Sequence, residues 1–506
     1  MSYSSGMFEH PIVLMFSSLA HLTAFVLVAF HSLQRRRNAS STLLWIFIAW
    51  SVPVIGPLFY LSFGIDRVSD LGFLKFLTDQ HLLETRKETR EAAPRAYWHN
   101  LVGASSDLSA GTFVKEENEF QREFNRTLDA LIPSHPALAG NRITPLVDGD
   151  EAYPRMLEAI RNAKRHIHLQ SYIIGNDKIS REFMDVLATK AAEGVHVRLL
   201  YDRFGSTRAL FGGLFRKAGK TPGFKVAGWT QANLLKRQFQ INLRNHRKML
   251  IVDGETGFFG GINILDDHIT RPKKMPIRDY HFEAKGPIVQ ELQYSFLHDW
   301  YFITEESPEK LLTKEYFPHA EPAGNITARL ISTGPSTVED VAVESFFNSI
   351  ILAKKQILAV TPYFVPPEEI LRALRSAALR GVDVHLIVPK KNNHYCAGYA
   401  SRALYEELLL AGVHIHERRP PFMHSKALVI DGEFSLIGTA NLDVRSLHLN
   451  YETCLAVYSI EFTDRLKRII HEDMDSSDEV ILADWQHRPL RDQLRENLAA
   501  LLTPIL

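Results

Sequence analysis

The feature that most constrains this chain is an internal duplication. Met156 to Ile174 (MLEAIRNAKRHIHLQSYII) aligns with Phe347 to Val365 (FNSIILAKKQILAVTPYFV), a helix leading into a strand that ends near Tyr172 in one copy and Tyr363 in the other. Ala192 to Leu200 then matches Leu379 to Ile387, where Gly194 and Gly381 end a helix and an apolar strand follows. Helices alternate with strands in each copy, so each is expected to be an α/β unit with a buried sheet. A chain of 506 residues is too long for one core and suggests several domains.

Each copy also carries one of two nearly identical stretches. His246-Arg-Lys248-Met-Leu-Ile-Val-Asp253-Gly and His424-Ser-Lys426-Ala-Leu-Val-Ile-Asp431-Gly both read H-x-K, four apolar residues, then D-G. A Gly and an Asn follow each time, in Gly260-Gly261-Ile-Asn263 and Gly438-Thr-Ala-Asn441. The apolar run reads as a buried strand, and strand alternation places His246 with Lys248, and His424 with Lys426, on one face. Two imidazoles and two ammonium groups suit an anionic phosphodiester, one His attacking phosphorus and the other protonating the leaving oxygen. Lys248 and Lys426 would offset phosphate charge, and the amides of Asn263 and Asn441 can hydrogen-bond its oxygens. Asp253 and Asp431 complete the six-residue candidate catalytic set. Their odd separation from the lysines turns them to the other strand face, as structural partners. Asp279 and Glu452 occupy places from which a carboxylate can orient an imidazole. Their spacing differs: 279 − 263 = 16 residues after the first Asn, 452 − 441 = 11 after the second. Symmetry alone does not choose the attacking His.

These paired motifs resemble the phospholipase D superfamily. Thr361-Pro-Tyr-Phe-Val-Pro366, Arg380-Gly-Val-Asp-Val384, Tyr399-Ala-Ser-Arg402 and Gly438-Thr-Ala-Asn-Leu-Asp-Val-Arg-Ser446 look like the bacterial cardiolipin synthases, and the resemblance extends to Arg488-Pro-Leu490. It implies two α/β sandwich repeats, residues 136–305 and 323–506 with a 306–322 linker, packed face to face as a pseudo-dimer around one site. It implies transfer of a phosphatidyl group between two phosphatidylglycerol molecules, releasing glycerol, with His246 as nucleophile through a phosphohistidine and His424 as acid. No metal is needed where two lysines supply positive charge. No nucleotide cofactor is needed, since exchanging one phosphodiester for another is close to thermoneutral. A phospholipase sending water to the same intermediate, transfer to another alcohol, a nuclease and a non-enzymatic lipid-binding scaffold stay as alternatives. The formal net charge of zero removes a whole-molecule basic field for nucleic acid.

Ile12 to Leu33 carries no charge apart from titratable His21 and His31, and Leu43 to Ile65 is a second uncharged run. Both are expected to cross the bilayer, residues 1–66 forming an anchor in the bacterial inner membrane. Pro53, Gly56 and Pro57 would kink the second run or make it re-entrant. Arg35-Arg-Arg37 favours a cytoplasmic loop between the spans, while Arg67 and Lys75 pull the other way, so the side of the catalytic domain stays open. Residues 67–135 read as an amphipathic and linker segment, Leu71 to Asn100 followed by Gly/Ser/Ala-rich Gly103 to Thr112.

Arg203 to Val252 holds eleven Lys/Arg and no Asp or Glu, and leads into the first H-x-K motif. This is expected to be a surface holding anionic headgroups, Lys236 and Arg237 included. Gly213 to Thr221 nearly spells a P-loop, but five residues separate its glycines and no strand leads into it. The i, i+2 pairs His166/His168 and His414/His416 lack a third ligand of clear spacing. Cys396 and Cys454 read as buried free thiols. Leu490, Leu494, Leu498 and Leu501 recur at helical spacing and are expected to pack onto the body.

Overall fold

The computed structural model describes residues 11–34, 39–61, 75, 82, 84, 119–229, 244–269, 276–335, 340–501 and 503. The expected linker at 103–112, most of the 71–100 segment, Arg35 to Arg37, and Lys236 with Arg237 lie outside the described residues. The chain divides into two compact units, Met1–Leu71 and Gly72–Leu506.

In the first unit a helix runs over Pro11–Gln34. The second apolar run is not one helix: Ala39–Ser51 is followed by a break and a short helix at Ile55–Phe59, with Val54 at φ 64°. Pro53 removes a backbone donor there. A Cβ on Gly56 would meet the Ile48 carbonyl oxygen at 2.3 Å, so only glycine permits this return of the chain. Val28, Ala49 and Tyr60 form a small core, and His31 Nδ1 lies 2.6 Å from the Tyr60 hydroxyl. Among the described residues, no helix is long and apolar enough to cross a membrane. Leu19, Leu27, Phe30, Leu33, Leu43 and Phe47 are exposed.

The second unit contains both copies. The first supplies β1 (Leu138–Val147), β2 (His166–Ser171), β3 (His196–Asp202), β4 (Phe224–Trp229), β5 (Met249–Val252), β6 (Thr256–Gly260), β7 (Ile277–Arg278) and β8 (Tyr280–Lys285). The second supplies β9 (Ile326–Thr333), β10 (Gln356–Val360), β11 (Phe364–Val365), β12 (Asp383–Pro389), β13 (His414–Arg418), β14 (Phe422–Met423), β15 (Ala427–Ile430), β16 (Phe434–Gly438), β17 (Leu442–Asp443), β18 (Glu452–Tyr458) and β19 (Ser477–Glu479).

Among the described residues, fifteen strands join one sheet in the order β19-β13-β12-β10-β15-β16-β18-β9-β1-β8-β6-β5-β2-β3-β4. Outward from the β1/β9 boundary the two halves repeat the same sequence of elements. β1 and β9 pair antiparallel, Asn141 opposite Ile326, so the copies join edge to edge through a continuous sheet. That corrects the face-to-face expectation, and it satisfies backbone groups that two separate sheets would leave as open edges. Each half keeps its own apolar core, one around Phe183, Leu199 and Leu250, the other around Leu358's neighbours Ile357 and Ala359 with Leu386 and Leu428.

The helix Glu119–Leu131 falls inside the 67–135 stretch read as an amphipathic and linker segment. Its Phe124 and Leu128 are fully buried in the second core, and Asp129 accepts from Arg329 Nη1 at 2.6 Å. Apolar residues at i and i+4 gave that helix one buried face. Two smaller expectations also fail. Leu490, Leu494, Leu498 and Leu501 are 60–76% exposed, because the helix Leu490–Ala500 packs through Glu496 and Ala499 instead. Cys396 is exposed, while Cys454 is buried on β18.

Candidate active site

The two motif strands β5 and β15 occupy matched places in the sheet, each between a hairpin partner (β6, β16) and the first parallel strand (β2, β10). All four residues of each are buried, which fixes the strand and the direction of the side chains that precede it. The H-x-K residues lie just before these strands, and each is held by the opposite copy. The His246 amide donates to Tyr451 O at 2.9 Å, and the His424 amide to Arg278 O at 2.7 Å. β14 pairs parallel with β7 beside the second contact, and a bridge joins Asn245 to Tyr451 beside the first.

The next residue in each clamp is the orienting carboxylate. Glu452 lies 3.0 Å from His246 Nδ1, and Asp279 lies 2.7 Å from His424 Nδ1. The sequence brought these carboxylates forward; the structure shows that each serves the imidazole of the other repeat. With Nδ1–H donating to a carboxylate, Nε2 of each ring keeps its lone pair and has no hydrogen-bond partner among the described residues. The differing spacing reflects the connection after Asn263, which carries the turn of helix Asp266–His268 and β7 before Asp279 is reached. A Cβ at Gly261 would sit 2.0 Å from Asp279 Oδ1, so glycine leaves room for that carboxylate. The matched residue in the second copy is Thr439, whose hydroxyl donates to Glu452 Oε2 at 2.5 Å.

Both lysines join the cluster. Lys248 Nζ donates to His246 O at 2.6 Å, and Lys426 Nζ donates to His424 O and lies 2.9 Å from His424 Nδ1. Burial lowers Lys248 to about 7 and Lys426 to about 8, with Lys426 adding to the effect on Lys248 and the nearby carboxylates opposing it. Burial also lowers both histidines. Glu452 opposes this at His246, whereas Lys426, Lys248 and His246 push His424 further, well below its usual range. Charges from both repeats thus act on one another in a single enclosed cluster.

Asp253 and Asp431 stand apart from it. Asp253 accepts from the amides of Lys164, Arg165 and His166 at 2.7–2.9 Å, and Asp431 from those of Lys354, Lys355 and Gln356 at 2.7–2.9 Å. Each therefore pins the start of the neighbouring strand, β2 or β10, from a left-handed turn residue at φ 54° or 55°. They leave the catalytic set, because the side chain points away from the imidazoles. The asparagines divide. Asn263 Oδ1 accepts from the Ile173 amide at 3.0 Å, whereas Asn441 Nδ2 is committed to Asp443 Oδ2 at 3.0 Å and its Oδ1 is buried without a partner.

Sequence reasoning missed three flanking groups. The Tyr172 ring lies 5.0 Å from His246, and Tyr363 lies 6.3 Å from His424. Their matched positions in the duplication were the available signal. His268 is buried 6.5 Å from the His424 ring, its Nε2 accepting from the Asn263 amide at 3.2 Å, and burial lowers it to about 3. Nothing in its local sequence marks it.

The chain matches the cardiolipin synthase, PLD-like domain over residues 156–300 and 346–474, and the phospholipase D-nuclease N-terminal domain over residues 22–64. It is 35% identical to the cardiolipin synthase of Geobacillus thermodenitrificans, covering 95% of this chain and 92% of that one. The chain belongs to the cardiolipin synthase family. The major cardiolipin synthase ClsA of Bacillus subtilis is 33% identical over 94% of this chain and 95% of its own. The phosphatidylserine synthase of Haemophilus influenzae, 15% identical, shares the fold with a TM-score of 0.60, covering 76% of this chain and all of that one. As a member of the cardiolipin synthase family the protein is a membrane-associated enzyme that transfers phosphatidyl groups, with cardiolipin synthase function.

In this cardiolipin synthase family member, cations from the described part of the basic stretch pair with carboxylates. Lys225 pairs with Glu306 at 2.7 Å, and Arg247 turns inward to Asp299 at 2.7 Å. Asp299 also receives Lys75 at 3.2 Å and the amides of Gln170 and Asn245. Burial alone would raise Asp299, but Arg247 and Lys75 outweigh it and hold the carboxyl well below its usual range. Three of the four paired histidines bond elsewhere, His168 Nδ1 with Gln293, His416 Nε2 with His385 at 2.9 Å, and His414 with Glu479 at 2.9 Å, while both ring nitrogens of His166 are buried without a hydrogen-bond partner among the described residues. Among the described residues, no group of three or more His, Cys, Asp or Glu is placed to hold a metal ion.

Proposed function

We propose that the enzyme makes cardiolipin from two phosphatidylglycerol molecules through a phosphohistidine, with residues 136–305 and 323–506 as the two catalytic repeats. The observation that carries this reading is the pair of imidazoles whose Nδ1 atoms are fixed by Glu452 and Asp279, leaving both Nε2 atoms for one phosphate.

His246 Nε2 attacks phosphorus while the bond to the departing glycerol oxygen breaks, and His424 Nε2 gives that oxygen a proton. In the second half the hydroxyl of another phosphatidylglycerol loses its proton to His424 and forms the new P–O bond as the His246–phosphorus bond breaks. Lys248 and Lys426 balance the phosphoryl oxygens, and Asn263 contributes its amide. The phosphate's negative charge offsets the lysine repulsion that suppresses protonation of His424 in the empty site. Water taking the acceptor's place would give phosphatidic acid, the phospholipase outcome.

The N-terminal unit is the membrane seat in this reading, multi-pass in the bacterial inner membrane. Its exposed Leu27, Phe30, Leu33 and Phe47 form apolar surface that lipid would cover.

Donor lipid labelled at phosphorus, acid-quenched on the enzyme and followed by peptide mapping, should place the label on the peptide containing His246. Label on the His424 peptide would reverse the two roles, and turnover with no protein-bound label would remove the covalent intermediate.

A further inference from the structure

The catalytic groups repeat across the two copies, but the residue two before each motif histidine does not. It is Arg244 in the first copy and Phe422 in the second. Extended backbone puts residues i and i+2 on one face, so Arg244 shares a face with His246, and its carbonyl accepts from the Tyr451 amide at 3.0 Å within the same clamp.

Arg244 is only 8% exposed, yet its guanidinium has no hydrogen-bond acceptor among the described residues. Its Cζ rests 4.0 Å over the ring of Phe204, which is 63% exposed. The charged and polar groups that act on it are Asp202, Tyr172 and Arg445. Asp202 is already engaged, accepting from the amides of Phe204, Gly205 and Asn245 at 2.9, 3.1 and 3.3 Å. Arg445 acts on Tyr172 as well, the ring that flanks His246. A buried guanidinium without an acceptor is costly, and its planar fork suits a phosphate oxygen pair.

One phosphate is already served by the two-fold set of imidazoles and lysines. We infer that Arg244 forms a second anion subsite that holds the phosphodiester of the other phospholipid while its hydroxyl reaches the reacting phosphorus. This rests on the reading of two phosphatidylglycerol molecules meeting at one site, and it makes Arg244 the residue that prefers a lipid acceptor over a neutral alcohol or water. Phe422, at the matched place, offers no such charge.

The test compares two acceptors on the full chain in vesicles of phosphatidylglycerol and a neutral lipid: phosphatidylglycerol itself, read as cardiolipin, and free labelled glycerol, read as exchange into phosphatidylglycerol. Arg244→Gln should lower cardiolipin formation about tenfold or more relative to glycerol exchange, the loss expected for one charge-assisted hydrogen bond. Arg244→Lys, which keeps the charge, should recover part of it. Equal loss of both reactions, or no loss of either, would overturn the subsite. Absence of cardiolipin formation by the unmodified enzyme would instead overturn the underlying function.

Discussion

His424 Nδ1 lies 2.7 Å from Asp279, a carboxylate 145 residues earlier that belongs to the other repeat. The reciprocal pair, His246 with Glu452, spans 206 residues in the opposite sense. Neither repeat can orient its own imidazole. The site therefore forms only when both copies fold onto the shared sheet, and isolated repeats are expected to be inert.

Removing the charge of an orienting carboxylate while keeping its shape should disable the ring it holds. Asp279→Asn and Glu452→Gln are each expected to lower kcat by about 10²–10⁴-fold, the range of a general acid–base contribution. Cardiolipin formation on phosphatidylglycerol vesicles measures this, with circular dichroism as a control for folding. Near-normal turnover in either variant would separate that carboxylate from the chemistry.

The lysines set the alkaline limit. Lys248 is lowered to about 7 and Lys426 to about 8, so both lose their protons as pH rises through that range in the empty enzyme. kcat/KM should fall on the alkaline side accordingly. Lys426→Arg keeps its charge at high pH and should shift the fall upward, at some loss of maximal rate. A profile flat to pH 10 would show that lysine charge does not limit binding or chemistry.

Asp253 and Asp431 should behave as structural residues. Asp253→Ala strands the amides of Lys164, Arg165 and His166, and is expected to cost about 2–4 kcal/mol of stability. Asp431→Ala should cost less, since two of its three amide contacts are exposed. Thermal unfolding reads the difference. A large loss of kcat in folded Asp253→Ala, with Tm unchanged, would return it to the catalytic machinery.

Acid should unfold the catalytic unit early. Burial holds His166, His268 and His281 near about 3, so they stay neutral in the folded state while the unfolded chain protonates them below its ordinary value of 6.5. The unfolded state then binds more protons, and stability falls as pH drops from 6.5 toward 3. Tm measured across that interval should decline, and His281→Asn, which removes one titrating ring, should flatten the slope. An unchanged slope would show that His281 is not a source of the acid sensitivity.

The duplication, the strand mounts and the sharing of one face by each motif His and Lys were legible in the sequence because each depends on local order. Alternation fixes which side chains share a face, and an apolar run between His-x-Lys and Asp-Gly fixes where the strand lies. Even the departure of Asp253 and Asp431 from the reacting face followed from that two-residue period.

What the tertiary structure alone decided concerns partners far apart in the chain. Which carboxylate holds which imidazole, the edge-to-edge joining at β1 and β9 and the inward turn of Arg247 to Asp299 all depend on long-range pairing. Burial does too, and burial is what moves the lysines from ordinary cations to groups that titrate near neutrality. Local sequence encodes period and chemistry; distance and desolvation appear only once the two copies close around the same space.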